Sequence, residues 1–386
     1  STATQTSLDL TVNKVTGTVA IAGAAVTTLN LSSATNTSSF TLTNTGGNLA
    51  TVAVTGDKMM TVASSLNALK TINASGNSGG FVFDQSSLTT DNTLTFTGGL
   101  GNDKVVFKAG FLTAADVLDG GAGVDVVAVN DTSVTAATIN ALKNFEVLQL
   151  NTTGATVDVS TITSLSSYAT GPGNISATFS NSASGTTYTI DNTSSNTGTV
   201  TINNKTGEST ATVTVNNDST STQSLAALTV GGASTVNLVS TGTGLNGITT
   251  LTGPGNTTYN VTGATALQIS VATSGTVGST VGASNFTASL TVNGTQFGDI
   301  LIGGSAADTI QGMAGSDVMT GNGGADVFFF NGAGTNVSGS TFGQFDTITD
   351  FVIGTDKIKF DNVTETASAQ QTAVTAAVAA LAAGST

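Results

Sequence analysis

Four aspartates recur at a strict interval of nine residues in the segment 294–330: Asp299, Asp308, Asp317 and Asp326. A glycine lies five residues before each aspartate, and an apolar residue lies two residues after it. Glycine permits the left-handed backbone that tight turns require, so six residues of each unit can form a loop. The other three residues can form a short strand with its apolar side chain turned inward. The spacing therefore predicts stacked loop-and-strand units.

Stacking these units places the aspartate carboxylates in a column, where they repel one another. A hard cation removes that repulsion, and Ca²⁺ takes about six to eight oxygen ligands from carboxylates and backbone carbonyl groups. An all-oxygen set of ligands favours Ca²⁺ over Zn²⁺. A surface loop with accidental spacing is the alternative, which four consecutive units disfavour. The column therefore predicts a site for calcium.

A second stretch of this type lies at residues 98–127. The segments GGLGNDKV and GGAGVDVV follow the same pattern, with Asp103 and Asp125 at the acidic position. Between them, Asp116 precedes Asp125 by nine residues but lacks loop glycines, and Asp119 stands directly before the second loop. We interpret this stretch as a shorter calcium cluster with one broken turn. Solvated turn aspartates are the alternative.

Both stretches resemble the RTX (repeat-in-toxin) calcium-binding nonapeptide, G-G-x-G-x-D-x-U-x. In that family, loop carbonyl groups and the aspartate bind calcium between turns, and a D-x-I-x-D-F…G-x-D-x-I segment closes the block. Residues 346–358 are similar to that segment. The resemblance implies that its three aspartates bind a last calcium ion or cap the β-roll, and ordinary acidic turn residues at strand ends are the alternative. The resemblance implies metal-binding roles for Gly98, Gly99, Gly101, Asp103, Asp119, Gly120, Gly121, Gly123, Asp125, Gly303, Gly304, Asp308, Gly312, Gly315, Asp317, Gly321, Gly323, Gly324, Asp326, Asp346, Asp350 and Asp356. Asp116 and Asp299 are secondary candidates, because Thr295 and Phe297 replace glycines in the loop before Asp299.

The rest of the chain alternates β-branched and polar residues in short runs separated by Gly, Asn and Ser. This pattern is typical of strands, and it predicts an all-β protein, an elongated parallel β-solenoid or β-roll with calcium-binding turns. We divide it into a β-rich segment (1–95, solenoid or sandwich), a first calcium block (96–130), a solenoid segment (131–293), a second calcium block (294–330) and a C-terminal cap (331–386). A short helix is predicted over 368–383, from a capping box and a one-sided apolar stripe.

Composition narrows the function. The net charge of −14 argues against nucleic acid as a partner, since that needs a basic surface. The chain has no histidine and no cysteine, so it lacks the commonest general base and any thiol nucleophile, and we expect no enzyme activity. No apolar run is long enough for a transmembrane helix, so we expect no membrane insertion. The start at Ser1 without a signal sequence suggests a fragment, or export without an N-terminal signal.

The chain consists of long Thr/Ser/Ala/Asn/Gly-rich segments with a strand-like pattern, interrupted by two calcium blocks. In this it resembles the RTX-type surface-layer (S-layer) proteins of Gram-negative bacteria. The segment 96–150, in which Asn144-Phe145-Glu146-Val147-Leu148 follows two G-G-x-G-x-D loops, carries that resemblance. It implies type I secretion, calcium-driven folding outside the cell and self-assembly into a sheet on the bacterial cell surface. The implied partner is the chain itself, with hexamers as one arrangement, and a cell-surface glycan or lipopolysaccharide bound through a region outside this chain. An RTX adhesin or biofilm matrix protein, or the non-catalytic RTX module of a secreted hydrolase, is the alternative.

Overall fold

The computed structural model describes residues 5–331 and 346–361. Its strands pair in parallel, and in nearly every pair the partner is the next strand but one along the chain, as a coil of stacked turns requires. The chain is therefore an all-β, parallel β-solenoid of about 15 turns, which confirms the predicted fold class. For the segment 1–95, the structure decides between the two alternatives in favour of the solenoid.

One sheet runs along the whole solenoid, and we call it the long sheet. Within residues 5–331 and 346–361 it contains sixteen strands. They are β2 (Thr16–Ile21), β4 (Ser38–Asn44), β6 (Met60–Ser64), β8 (Phe81–Asp84), β10 (Lys104–Phe107), β12 (Val126–Val129), β13 (Val147–Leu150), β15 (Ser167–Thr170), β17 (Thr187–Asp191), β19 (Thr210–Asn217), β21 (Thr235–Gly242), β23 (Thr258–Gly263), β25 (Thr280–Gly282), β27 (Ile300–Ile302), β29 (Val318–Thr320) and β31 (Thr347–Ile348).

Two shorter sheets cover the opposite face, one after the other. The first has six strands: β1 (Ser7–Val12), β3 (Thr28–Ser33), β5 (Thr51–Gly56), β7 (Thr71–Asn77), β9 (Thr95–Thr97) and β11 (Val117–Asp119). The second has ten: β14 (Ala155–Asp158), β16 (Ala177–Ser182), β18 (Asn196–Asn204), β20 (Gln223–Gly231), β22 (Asn246–Gly253), β24 (Leu267–Thr273), β26 (Leu290–Asn293), β28 (Thr309–Gln311), β30 (Val327–Asn331) and β32 (Lys357–Asp361).

The core lies between these two faces, because successive strand side chains point to opposite sides and the apolar ones point inward. In register, Leu29, Val52, Ile72, Phe96 and Leu118 stack on one another, and each is buried. Outward positions carry mainly Thr, Ser and Asn, so buried and more exposed residues alternate along the strands, as in β5 and β19. Burial of these stacked apolar columns is the main source of stability, since one turn alone buries little.

A short helix, α1 (Ala136–Asn140), lies where the six-stranded sheet ends and the ten-stranded sheet begins. Thr135 caps it by accepting a hydrogen bond from the Thr138 amide at 3.3 Å, and Ile139 is buried beneath it. The long sheet continues past it without a gap, from β12 to β13. A 3-10 turn spans Val159–Thr161.

The turns are shortest in the second calcium block, where Ile300 pairs with Val318 one turn later, a step of 18 residues. Where Thr187 pairs with Thr212 the step is 25 residues. The helix predicted over 368–383 lies outside the described residues. In the described part of the chain, neither helical segment has the length and apolar character needed to cross a bilayer.

Candidate metal sites

The aspartates of the nonapeptide loops lie directly before strands, at the two edges of the solenoid. We call the corner before the long-sheet strands the near edge, and the corner before the strands of the opposite face the far edge. The near edge carries Asp103, Asp125, Asp299, Asp317 and Asp346, and the far edge carries Asp116, Asp308, Asp326 and Asp356. The prediction of one column was wrong, because nine residues make half a turn here and consecutive aspartates alternate between the edges.

Each carboxylate accepts a hydrogen bond from the backbone of the turn before it. Asp125 Oδ1 accepts from the Asp103 amide at 2.6 Å, and Asp317 Oδ1 accepts from the Asp299 amide at 2.8 Å. Further bonds of this kind join Asp308 N to Asp326 at 2.9 Å, Phe81 N to Asp103 at 2.6 Å, Leu94 N to Asp116 at 2.6 Å, Ser279 N to Asp299 at 2.5 Å and Leu290 N to Asp308 at 2.7 Å. The aspartates thus link neighbouring turns even without a metal ion.

Three loops are closed, meaning that the second carboxylate oxygen also has a protein donor. The donor is the amide four residues earlier, at 2.6 Å in each pair: Gly99 for Asp103, Thr295 for Asp299 and Gly304 for Asp308. In Asp299 the Thr295 hydroxyl also donates, at 3.0 Å to Oδ2. Both oxygens of each carboxylate are therefore satisfied by the chain itself.

The other three loops are open, because the residue four before the aspartate adopts the left-handed region. These residues are Gly121 (φ 94°), Met313 (φ 75°) and Asn322 (φ 63°), ahead of Asp125, Asp317 and Asp326 respectively. The Oδ2 atoms of Asp125 and Asp317 are buried and have no hydrogen-bond partner among the described residues. A buried carboxylate oxygen without a donor is unfavourable, so these two atoms mark positions where a cation would be stabilising.

Met313 is the most strained residue of the open loops, since a long side chain rarely adopts a positive φ. We expect Met313→Gly to raise the free energy of unfolding by about 1 kcal/mol, through relief of backbone strain. Chemical denaturation in calcium measures this. The matched control is Met59→Gly, because Met59 is also partly exposed but lacks a positive φ. An equal effect of both changes would contradict the strain argument.

Burial raises the pKa of the carboxyl groups at both edges. It raises the pKa of Asp125 to about 7 and that of Asp317 to about 8, and neighbouring acids act in the same direction. The pKa of Asp308 rises to about 6, again mainly through burial. The pKa values of further carboxyl groups are raised by burial: Asp103, Asp299, Asp326 and Asp346. Near neutral pH, ionised carboxylates here carry an unfavourable charge that a bound cation offsets.

The glycines make room for these carboxylates and for the close stacking of turns. A Cβ atom on the glycine five residues before each aspartate would contact or closely approach Oδ2 of that aspartate, which applies to Gly98, Gly120, Gly294, Gly303, Gly312 and Gly321. A Cβ atom on the remaining loop glycines would collide with backbone atoms of a neighbouring turn: Gly99, Gly101, Gly121, Gly123, Gly304, Gly315 and Gly324. Gly323 is the exception, with Ser305 O at an ordinary 3.5 Å.

The acids after the second block contact its last loops. Asp346 Oδ1 accepts from the Asp317 amide at 3.0 Å, and Asp356 Oδ1 accepts from the Asp326 amide at 3.0 Å, so each extends one column by a turn. Asp350 accepts from the amides of Gly321 at 2.9 Å and Asn322 at 2.7 Å. Through these contacts the three aspartates cap the last two loops of the second block. A role of the same acids as calcium ligands stays a prediction.

The two irregular positions of the first block differ from the others. Asp116 lies on the far edge, half a turn from Asp103 and Asp125, and its second oxygen accepts from the Thr113 amide at 2.8 Å. Asp119 stands at the end of β11, where its Oδ1 accepts from the Gly121 amide at 3.2 Å and from the Asn144 side chain at 2.7 Å. Asp119 thereby draws the Gly121 amide away from Asp125.

The near edge has one further acidic member that the repeat pattern does not predict. Glu146 directly precedes β13, and its Oε2 accepts from the Asp125 amide at 2.7 Å, in the place that an aspartate holds in the nonapeptide loops. It has no glycine-rich loop and does not follow the interval of nine, so the repeat pattern could not reveal it. Its signal is its position directly before a strongly apolar strand.

The oxygen atoms beside the first glycine of each loop suit Ca²⁺. A Cβ atom on Gly312 would meet Asp317 Oδ2, which is an oxygen without a hydrogen-bond partner among the described residues. Within the described residues no three acidic side chains form one cluster, so carbonyl groups must supply the remaining ligands. Carboxylate and carbonyl oxygens together are the ligands that Ca²⁺ prefers. The residues present therefore fit this ion.

Comparison with known families agrees with this chemistry. The family model of the RTX calcium-binding nonapeptide repeat matches the chain in four copies, at residues 113–131 and 293–328. Comparison with curated proteins and with solved structures gives no match. The matched segments do not include residues 98–103, although Asp103 Oδ1 accepts a backbone hydrogen bond from the preceding turn, as Oδ1 of the other near-edge aspartates does.

The chain therefore carries RTX nonapeptide repeats within a β-solenoid, and such repeats bind calcium. Ca²⁺ is accordingly the ion that these turns bind. RTX repeats are typical of secreted, extracellular proteins. The roles of the individual glycines and aspartates as ligands stay predictions, supported by the geometry above.

Proposed function

We propose that this protein is a structural, calcium-dependent component of a bacterial surface layer, which assembles with copies of itself into a two-dimensional lattice. The observation that carries the proposal is the continuity of the solenoid, in which calcium turns occur at two separate levels of one unbroken long sheet. Calcium would then stabilise the subunit as a rigid rod at two places along its length. We place it outside the cell, on the bacterial surface, after type I secretion.

The outward faces support a role in packing against identical surfaces. On the ten-stranded sheet, one column consists of threonines from five successive turns, in register: Thr156, Thr178, Thr201, Thr229 and Thr252. These side chains are at least partly exposed. A regular column of small hydroxyl groups can pack closely against the same column of a second copy, as a self-complementary contact needs.

Calcium is the signal in this proposal. In a cytosol poor in calcium, the buried acids disfavour the folded turns, and the chain remains suited to export. Outside, extracellular calcium modules bind at roughly 10⁻⁴–10⁻³ M, and binding stabilises the folded state by linkage. We propose no enzymatic activity, since the chain contains no histidine and no cysteine.

The proposed partner is a second copy of the chain, with hexamers linked sideways as one arrangement. A cell-surface glycan or lipopolysaccharide would anchor the layer through a region outside this chain. Nucleic acid is not proposed as a partner, because the net charge is −14. An RTX adhesin or biofilm matrix protein, or the RTX module of a secreted hydrolase, is the second candidate. It would show the same calcium dependence without forming a lattice.

Electron microscopy with light scattering tests the proposal on the full chain. We expect ordered sheets or large regular particles after addition of millimolar CaCl₂ (about 10⁻³ M, the upper range for extracellular modules) and their loss after EGTA. Asp308→Ala with Asp317→Ala should weaken calcium affinity and assembly together. A compact monomer at every protein concentration, with folding still dependent on calcium, would favour the adhesin or detached module. Sheets at unchanged calcium in the double variant would show that the second block is not the switch.

A further inference from the structure

Residues 144–146 form a three-residue corner that replaces a nonapeptide loop. After α1 the chain returns to the near edge through Asn144, Phe145 and Glu146, and β13 begins at the next residue. Asn144 adopts a left-handed conformation, with a φ of 52°. Phe145 is buried, with its ring 6.5 Å from that of Phe96, so the corner is anchored in the core. This fixed corner lies one turn above Asp125.

The backbone carbonyl oxygen of this corner lies where the carbonyl oxygen of a further nonapeptide loop would lie. In the turn below, a Cβ atom on Gly98 would meet Gly120 O and would lie 2.5 Å from Asp103 Oδ2. The equivalent atom on Gly120 would meet Asn144 O and would lie 2.7 Å from Asp125 Oδ2. The Asn144 carbonyl group therefore holds the place of the glycine carbonyl group that follows in a regular repeat.

One oxygen at this corner is buried and unsatisfied. Asp125 is fully buried, and its Oδ2 has no hydrogen-bond partner among the described residues. The amide that would satisfy it in a closed loop, that of Gly121, donates to Asp119 instead. Asp125 Oδ2 and Asn144 O are both acceptors, and they approach the same point beside Gly120. Two acceptors beside the same glycine without a donor repel each other, and a cation bound next to them offsets that repulsion.

We propose that this corner binds an additional Ca²⁺ ion through Asp125 Oδ2, the carbonyl oxygen of Asn144 and the carboxylate of Glu146. Asp119 is a positioning residue, since it binds the side-chain amide of Asn144 and withholds the Gly121 amide from Asp125. Asn144 and Glu146 belong to no nonapeptide and lie beyond the matched segment 113–131. The inference does not depend on lattice assembly.

Glu146→Gln tests the site, because glutamine keeps an oxygen that can accept from the Asp125 amide but removes the charge. We expect the full chain to bind one calcium ion fewer per molecule, measured by equilibrium dialysis with metal analysis. Hydrogen exchange gives a local readout. Calcium should slow exchange of the amides in residues 141–150 of the unaltered protein, and this protection should be lost in the variant, while protection of 294–328 remains.

Glu208→Gln is the matched control, since Glu208 is a partly exposed glutamate that accepts a backbone hydrogen bond from Ser184 at 3.0 Å, away from both blocks. It should leave the calcium stoichiometry unchanged. The proposal is overturned if Glu146→Gln binds as many ions as the unaltered protein with the same affinity. It is also overturned if calcium leaves the exchange of residues 141–150 unchanged in the unaltered protein, a measurement that needs no variant.

Discussion

In the absence of calcium, acidification from pH 8 to pH 5 is expected to stabilise this protein. The pKa of Asp125 rises to about 7, that of Asp317 to about 8 and that of Asp308 to about 6, all above the ordinary aspartate value of 3.8. In this pH range the folded state therefore binds more protons than the unfolded state. The contribution of these carboxyl groups to the free energy of unfolding is fully present below about pH 4 and is lost as the pH rises through 6 to 8.

Calcium should reverse the sign of this dependence, because it binds the ionised carboxylates and competes with protons. Thermal or urea unfolding between pH 5 and pH 8, with EGTA or with CaCl₂, measures both slopes. One pKa unit corresponds to about 1.4 kcal/mol, so the slope without calcium should amount to a few kcal/mol over the range. A calcium-free protein that loses stability between pH 8 and pH 5 would contradict the raised pKa values.

Asp317→Asn is expected to have opposite effects with and without calcium. Asparagine keeps the oxygen that accepts from the Asp299 amide, and it replaces a buried charge by a neutral group. Without calcium at pH 8, the variant should therefore be more stable than the unaltered protein, by about 1–3 kcal/mol. With calcium it should be less stable, and its calcium affinity should fall by at least roughly tenfold, since a ligand charge is lost.

Unfolding curves at fixed pH, with EGTA and over a calcium titration, test this prediction. Asp91→Asn is the control, because Asp91 is exposed in the segment between β8 and β9, and the same change of charge should leave both curves within experimental error. Destabilisation of Asp317→Asn by equal amounts in both conditions would indicate a purely structural role for this aspartate.

The strands of the nonapeptide repeats could be predicted from the sequence, because the interval of nine residues determines which side chains point inward. The apolar position two residues after each aspartate predicted inward side chains, and Leu301, Ile310, Met319 and Phe328 are all fully buried. Outside the repeats, alternation of β-branched and polar residues was enough to predict strands. It could not decide between a solenoid and a sandwich for residues 1–95, because that choice depends on which strands pair.

Three features of the site could not be predicted from the repeat pattern. The loops before Asp103 and Asp125 have the same glycines, yet one is closed and the other open, and the difference lies in Asp119, a residue outside the motif. The two edges were missed because an interval of nine does not reveal whether a unit is half a turn or a whole one. Glu146 was missed because no glycine-rich loop precedes it and it does not follow the interval of nine.

The unequal strand lengths have a mechanical consequence. Hydrogen bonds between parallel strands run along the axis of the stack, so tension along that axis acts equally on every interface between turns, and the weakest interface separates first. Strands β18 and β20 have nine residues, whereas β27, β28 and β29 have three. Without calcium, the solenoid under axial tension would therefore separate first between the three-residue strands of the second calcium block. Bound calcium ions would link the turns at these positions and strengthen the interfaces that are otherwise the weakest.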